Sequence, residues 1–150
     1  MVSTPSARRL FMSSTSKQTI YVADDDADVL GSLRFLLETD GFEVRTFRSG
    51  TALLNALGQA PIDCFLIDYK MPDINGIDLT ADLRRRGVTT PVILISGHYD
   101  DRLEARAAAA GVVDFLLKPL LDENLARRIR SAITATSEGD VKSDSPVIRH

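Results

Sequence analysis

The chain has 150 residues, of which 44% are hydrophobic and 26% charged, and its formal net charge is −3. This size and composition suit one globular domain with a substantial core and disfavour a second domain. The single cysteine, Cys64, excludes a disulfide framework and a cysteine-rich zinc site, and it favours a reducing compartment.

Residues 1–18 contain three basic side chains, many Ser and Thr, and no acid. This composition is faintly similar to an organelle transit peptide, but a disordered N-terminal tail, or a true start at Met12, is the simpler interpretation. The chain has no apolar run long enough to span a bilayer and no apolar core of a secretory signal, so we expect a soluble, cytoplasmic protein that does not bind membranes.

Five short apolar runs follow, and each predicts a β-strand. The runs are TIYVAD (19–24), FEVRTF (42–47), DCFLID (63–68), PVILIS (91–96) and VVDFLL (112–117). Continuously apolar strands of this kind are typical of a parallel sheet that is buried on both faces.

A stretch with helical periodicity follows each predicted strand. In the first, Val29, Leu33, Leu36 and Leu37 repeat at helical spacing before Asp40-Gly41 stops the helix. The second begins at the N-cap Ser49 and ends before Gly58, and the other three cover roughly residues 77–86, 100–110 and 122–135. The alternation predicts an α/β fold over residues 19–136: a (βα)5, doubly wound, parallel five-stranded sheet in a three-layer sandwich.

The charge of this domain indicates which partners it disfavours, and the composition after residue 136 indicates where it ends. Residues 19–136 contain 13 basic and 18 acidic side chains, a net charge of −5, so the domain should repel a phosphate backbone and direct nucleic-acid binding is not expected. Residues 137–150 are polar and lack periodicity, which predicts a flexible C-terminal tail or the stub of a linker.

Acidic side chains collect at the carboxyl ends of two predicted strands. Asp24, Asp25 and Asp26 end the first strand, and Asp68 ends the third, which should lie beside it. Converging carboxylates repel one another unless a cation joins them, and all-oxygen donors suit Mg²⁺. Alternatively, the first three acids form an acidic cap on the first helix, although that interpretation leaves Asp68 unexplained.

Two further strand ends contribute a hydroxyl and an ammonium. Ser96 ends the fourth strand and precedes Gly97, while Lys118 follows the fifth strand and precedes Pro119. Taken singly, such a serine is usually an N-cap and such a lysine is usually solvated. Together with the acids they compose a phosphoryl site, with a metal on one side and a compact ammonium on the other.

These residues resemble the receiver domain of two-component response regulators, the CheY-like family. The resemblance covers about residues 19–135 and rests on ADDD, LIDYKMPDING, LISGH and DFLLKP in this order, while GFEVRTFRSG and LISGHYD are similar to FixJ-like receivers. It implies strand order 2-1-3-4-5. It also implies that Asp68 accepts a phosphoryl group from a sensor histidine kinase or a phosphotransfer protein, with Mg²⁺ or Mn²⁺ as cofactor.

The resemblance also implies roles for individual residues. The implied metal site comprises Asp24 (through water), Asp25, Asp68 and the backbone carbonyl of Lys70. Lys118 matches the family's invariant lysine, the Lys118-Pro119 bond matches its cis peptide, and Ser96 and Phe115 match its switch pair. An ordinary core aromatic is the alternative interpretation of Phe115. Lys70 and His98 stand at positions that tune the phosphoryl lifetime in the family.

The implied chemistry is self-modification rather than turnover of other substrates, so the chain is not expected to be an enzyme. A model aspartate, with a pKa of about 3.9, is ionised at neutral pH, so Asp68 needs no general base to attack phosphorus. Phosphorylation would draw Ser96 inward, Phe115 would fill the vacated space, and the surface of the fourth helix, fifth strand and fifth helix would change. A homodimer through that surface is a hypothesis.

Two alternative functions remain. A phosphatase of the haloacid dehalogenase type also uses an aspartate nucleophile, and Asp24-x-Asp26 is similar to its first motif, but Asp28-Val29 replaces the expected hydroxyl-bearing continuation. A degenerate receiver would bind partners without phosphorylation, which the complete residue set disfavours. FixJ-like regulators usually carry a DNA-binding domain after a linker, so this chain is expected to be either a stand-alone receiver or the receiver portion of a longer protein.

Overall fold

A computed structural model describes residues 17–120 and 124–142, so most of the predicted N-terminal tail lies outside the described residues. The strands are β1 (Thr19–Ala23), β2 (Glu43–Phe47), β3 (Cys64–Asp68), β4 (Val92–Ser96) and β5 (Asp114–Leu117). The helices are α1 (Ala27–Thr39), α2 (Gly50–Asn55), α3 (Gly76–Arg85), α4 (Asp101–Ala110) and α5 (Asn124–Lys142). None of the described helices is long and apolar enough to cross a bilayer.

The five strands form one parallel sheet in the order β2-β1-β3-β4-β5, which confirms the predicted fold and strand order. The register places Asp68 opposite Ile95 and Ser96 opposite Leu117. Because all strands run in one direction, the residues that end them meet at a single edge of the sheet.

Each face of the sheet supports its own hydrophobic cluster. Alternate strand residues such as Val22 and Leu66 pack with α1 and α5, whereas Tyr21 and Phe65 pack with α2, α3 and α4. Every residue of β3 and β4 is buried, because helices cover both faces. This packing produces the predicted three-layer sandwich and holds the strand ends rigidly.

The structure adds a detail to α1 and corrects the predicted end of α5. Leu36, one of the apolar residues at helical spacing in α1, is 36% exposed, whereas Leu30, Leu33 and Leu37 are buried. The last helix continues to Lys142 instead of ending at residue 135, so residues 137–142 are helical rather than part of a tail. A single internal glycine, Gly139, costs a helix only about 1 kcal/mol and does not stop it. Residues 143–150 lie outside the described part.

Candidate functional site

The carboxyl edge of the sheet opens into a cleft of about 460 Å³. Its lining includes the predicted metal-binding, phosphoacceptor and lifetime residues: Asp24, Asp25, Asp68, Lys70, Ser96, His98 and Lys118. Phe115 lies outside this lining. The floor of the cleft is buried, since Asp24, Asp68 and Ser96 are at most 4% exposed, whereas Asp25 and Lys70 stand at its exposed rim.

Lys118 joins the two buried carboxylates of the floor. Its Nζ lies 3.0 Å from Asp24 Oδ2 and 3.2 Å from Asp68 Oδ1. Burial would lower the pKa of this ammonium, but the two carboxylates outweigh burial and raise the pKa, so Lys118 remains charged. The peptide bond between Lys118 and Pro119 is cis.

The surroundings of Asp68 disfavour its ionised form. Burial, together with the negative charge of Asp24, raises the pKa of Asp68 to about 6, and Lys118 offsets only part of that effect. Asp68 is therefore mostly ionised at neutral pH, and further positive charge in the cleft would stabilise the ionised form.

Three carboxylates of the cleft fit a divalent cation. Asp24, Asp25 and Asp68 each present a ligand oxygen, and these oxygens lie within 4.8 Å of one another. Asp24 Oδ2 is buried, and its polar contact among the described residues is the ion pair with Lys118 Nζ at 3.0 Å. An all-oxygen donor set of this kind suits a hard ion such as Mg²⁺ or Mn²⁺.

The hydroxyl of Ser96 is turned toward its own loop. Its Oγ donates to the carbonyl oxygen of His98 at 2.7 Å and accepts from the N–H of His98 at 3.0 Å. The His98 ring is 71% exposed and lies 3.2 Å from a carboxylate oxygen of Asp100. The loop between β4 and α4 thus satisfies the buried hydroxyl in this conformation.

Phe115 lies outside the cleft but connects to the same loop. Its half-buried ring meets the Tyr99 ring edge to face, with the ring centres 5.7 Å apart. The Tyr99 hydroxyl donates to Glu104 at 2.7 Å and lies 3.0 Å from a carboxylate oxygen of Asp101, both on α4. Tyr99 was not among the predicted site residues, because an aromatic residue in a polar loop carries no periodic signal.

Sequence reasoning also missed a set of polar contacts that involve the loops after β1 and β3. The Asp73 carboxylate, in the loop after β3, accepts from Gly50 N, Thr51 N and Thr51 Oγ1 at 3.2, 2.8 and 2.6 Å. Burial alone would raise the pKa of Asp73, but these hydrogen bonds prevail and lower it to about 2. Arg48 Nε donates to the carbonyl oxygen of Asp25 at 3.1 Å.

Comparison with known proteins gives concordant results. The family of the response regulator receiver domain matches residues 20–130. The chain is 39% identical over 117 residues to Response regulator protein TmoT of Ectopseudomonas mendocina, an alignment that covers 78% of this chain and 53% of that protein. It is 40% identical over 119 residues to Transcriptional regulatory protein FixJ of Bradyrhizobium diazoefficiens, covering 79% and 58% of the two chains.

A solved structure supports the same assignment at the level of the fold. The crystal structure of a CheY-like response regulator receiver domain protein from Methanospirillum hungatei JF-1 has a TM-score of 0.76 to this chain at 23% identity. The alignment covers 82% of this chain and 98% of that one. By contrast, the chain spans little more than half the length of the two curated relatives.

Proposed function

The chain belongs to the response regulator receiver domain family of two-component signalling, and we propose that Asp68 is its phosphoacceptor. Receivers of this family are signalling switches rather than enzymes that turn over substrates. One observation carries the proposal: Asp68 ends a buried strand, 3.2 Å from the Lys118 ammonium and within 4.8 Å of carboxylate oxygens of Asp24 and Asp25.

The proposed chemistry is an in-line phosphoryl transfer. An oxygen of the Asp68 carboxylate attacks phosphorus, the P–N bond of a donor phosphohistidine breaks, and the imidazole leaves with the bonding pair. Lys118 neutralises charge on the phosphoryl oxygens, and its position between two carboxylates keeps it protonated. A divalent cation, Mg²⁺ or Mn²⁺, would supply further neutralisation when held by Asp24 through water, Asp25, Asp68 and the Lys70 carbonyl.

We further propose how the signal leaves the site. Oxygens of the phosphoryl group compete with the His98 carbonyl for the Ser96 hydroxyl, and as the loop rearranges, Phe115 moves into the space beside β4. The Tyr99 contact with Phe115 supports this route, because Tyr99 belongs to the loop that binds Ser96 and its hydroxyl is anchored on α4. Lys70 and His98, at the rim of the cleft, would tune access of water and hence the phosphoryl lifetime.

The partners follow from the same proposal. A sensor histidine kinase or a phosphotransfer protein supplies the phosphoryl group in the cytoplasm, and a second copy of the chain pairs through the face of α4, β5 and α5. That face exposes two apolar side chains, Val113 at 52% and Leu117 at 49%. The net negative charge disfavours nucleic acid as a direct partner of these residues; TmoT and FixJ, named as regulators, are longer proteins.

Intact mass after incubation with acetyl phosphate and Mg²⁺ tests the proposal. We expect the wild type to gain one phosphoryl group, Asp68→Asn to gain none, and Asp78→Asn, which changes an exposed carboxylate on α3, to behave as the wild type. Absence of an adduct with both acetyl phosphate and a phosphorylated kinase would contradict the proposal. Steady hydrolysis of p-nitrophenyl phosphate that persists in Asp68→Asn would instead favour the dehalogenase-type alternative.

A further inference from the structure

The segment from Arg48 to Thr51, where β2 leads into α2, contacts both loops that carry the proposed metal ligands, although it contributes no proposed ligand itself. On one side, Arg48 Nε donates to the carbonyl oxygen of Asp25, in the loop after β1. On the other side, Gly50 and Thr51 donate three hydrogen bonds to Asp73, in the loop after β3. The two loops are thereby connected to each other through a third segment.

The loop after β3 is closed at its base, and its middle is held against α2. The N–H of Gly76 donates to the carbonyl oxygen of Tyr69 at 2.9 Å, which joins the two ends of the loop. The side chain of Ile74 packs so close to Gly50 that a Cβ there would collide with it. Asp73, one residue earlier, adds the polar contacts, so the segment that includes Lys70 is braced against the first turn of α2.

We propose that Arg48, Thr51 and Asp73 are positioning residues, which hold the Asp25 and Lys70 backbones at the separation that the divalent cation needs. This inference rests on the proposed function, since it assumes that the cleft binds the cation. Lys70, Pro72 and Asp73 are exposed, while Tyr69, Met71 and Ile74 pack partly against the core, so the polar contacts with α2 add to the order of this loop. A loop ordered beforehand loses less conformational freedom when the cation binds, and residues behind the ligands commonly contribute to metal affinity in this way.

Charge and geometry make opposite predictions at one of these positions. Arg48 is a cation beside the proposed site, so its removal should strengthen Mg²⁺ binding if only charge matters. If its hydrogen bond to the Asp25 carbonyl positions the loop, Arg48→Met should weaken binding instead. Thr51→Val changes no charge and removes only the hydroxyl that donates to Asp73 at 2.6 Å.

The test is an NMR titration of the unphosphorylated full chain with Mg²⁺, together with amide hydrogen exchange of residues 69–75 in the metal-free protein. We expect Arg48→Met and Thr51→Val to weaken Mg²⁺ binding and Asp73→Asn to weaken it on the order of 10-fold. Thr51→Val and Asp73→Asn should also exchange faster in the loop. Ser49→Ala is the matched control, because the Ser49 hydroxyl caps α2 through Ala52 N, whereas the hydrogen bonds to the two loops come from Arg48, Gly50 and Thr51. It should lower the thermal midpoint and leave the Mg²⁺ affinity unchanged.

Three results would overturn the inference. Wild-type affinity in both Thr51→Val and Asp73→Asn would show that the contacts do not position the site. An equal loss of Mg²⁺ affinity in Ser49→Ala would show that the affinity depends on the stability of α2 rather than on its contacts with the loops. Tighter binding in Arg48→Met would assign Arg48 a purely electrostatic effect. A wild type that binds no Mg²⁺ would instead contradict the proposed function itself, and the positioning role with it.

Discussion

The Ser96 hydroxyl donates a 2.7 Å hydrogen bond to the carbonyl oxygen of His98, two residues further along the chain. The bond is between neutral groups, whereas an oxygen of an aspartyl phosphate on Asp68 would be a charged acceptor, and hydrogen bonds to charged groups are about twice as strong. The loop between β4 and α4 therefore holds the hydroxyl in a way that phosphorylation can reverse.

Replacement of Ser96 should separate phosphorylation from its consequence. We expect Ser96→Ala to gain one phosphoryl group from acetyl phosphate, yet to lose most of the phosphorylation-dependent change in amide exchange of α4 and β5, because no hydroxyl can follow the phosphoryl group. Ser96→Thr keeps the hydroxyl and should keep the change. Intact mass and hydrogen exchange on the same samples measure both effects. A full response in Ser96→Ala would contradict the proposed switch.

Replacement of Lys118 should affect phosphoryl transfer and metal binding in opposite directions. Lys118→Met should slow the reaction with acetyl phosphate by roughly 10²-fold, the usual effect of removing one charge-stabilising donor. The same variant should bind Mg²⁺ more tightly, because the ammonium no longer competes for Asp24 and Asp68. Lys118→Arg keeps the charge in a planar group that fits this position poorly, so an intermediate rate is expected. Stopped-flow kinetics and calorimetric Mg²⁺ titration give the two readouts.

The raised pKa of Asp68 predicts a pH-dependent loss of stability in the metal-free protein. The folded-state pKa of about 6 exceeds the ordinary value of 3.8, so between these values the folded state binds more protons than the unfolded state. The free energy of unfolding should therefore fall as pH rises from about 4 to about 6 and should stay lower above that range. Asp68→Asn lacks this loss and should be more stable than the wild type at neutral pH by roughly 1–3 kcal/mol.

Urea unfolding with and without Mg²⁺ checks this expectation. Mg²⁺ binds the ionised carboxylates of the folded wild type, so it should shrink or reverse the advantage of Asp68→Asn. Equal stabilities of the two proteins in metal-free buffer at neutral pH would show that Asp68 carries no electrostatic strain.

The sequence predicts the residues of the cleft better than the contacts that hold the surrounding loops. Asp68 and Ser96 each end a continuous apolar run, and parallel strands bring such ends together, so their proximity follows from topology alone. The contact of Thr51 with Asp73 joins residues 22 positions apart and depends on how α2 packs against a loop, which no periodicity encodes. Leu36 shows the same limit, because an apolar stripe does not reveal how wide a face the helix buries.

Gly76 should tolerate no side chain, because it lies against the backbone of Asp68, the proposed phosphoacceptor. A Cβ at this position would lie 2.6 Å from the carbonyl oxygen of Asp68 and 2.6 Å from Leu94 Cδ1. We expect Gly76→Ala to lower the free energy of unfolding by about 1–3 kcal/mol, the cost of overpacking a rigid site. Gly31→Ala is the control: nothing lies within 4 Å of a Cβ in the middle of α1, so this variant should be stabilised by up to ~1 kcal/mol. Chemical denaturation of both variants measures these effects. An unchanged free energy of unfolding in Gly76→Ala would contradict the close approach of Gly76 to Asp68 and Leu94.

A charge placed on the face of α4, β5 and α5 should prevent the proposed homodimer without affecting phosphorylation. Val113, just before β5, is 52% exposed, and a carboxylate there would have to lose its water when two copies pair. Val113→Asp should therefore gain the phosphoryl group from acetyl phosphate and remain monomeric by light scattering.

Phe35→Asp is the control, because Phe35 is 72% exposed on α1, away from this face, and its variant should dimerise as the wild type does. Since the Asp114 carboxylate receives both Arg128 donors at 2.7 and 2.8 Å within one copy, this ion pair should survive in Val113→Asp. Dimerisation of phosphorylated Val113→Asp, or its loss in Phe35→Asp alone, would place the interface on another surface.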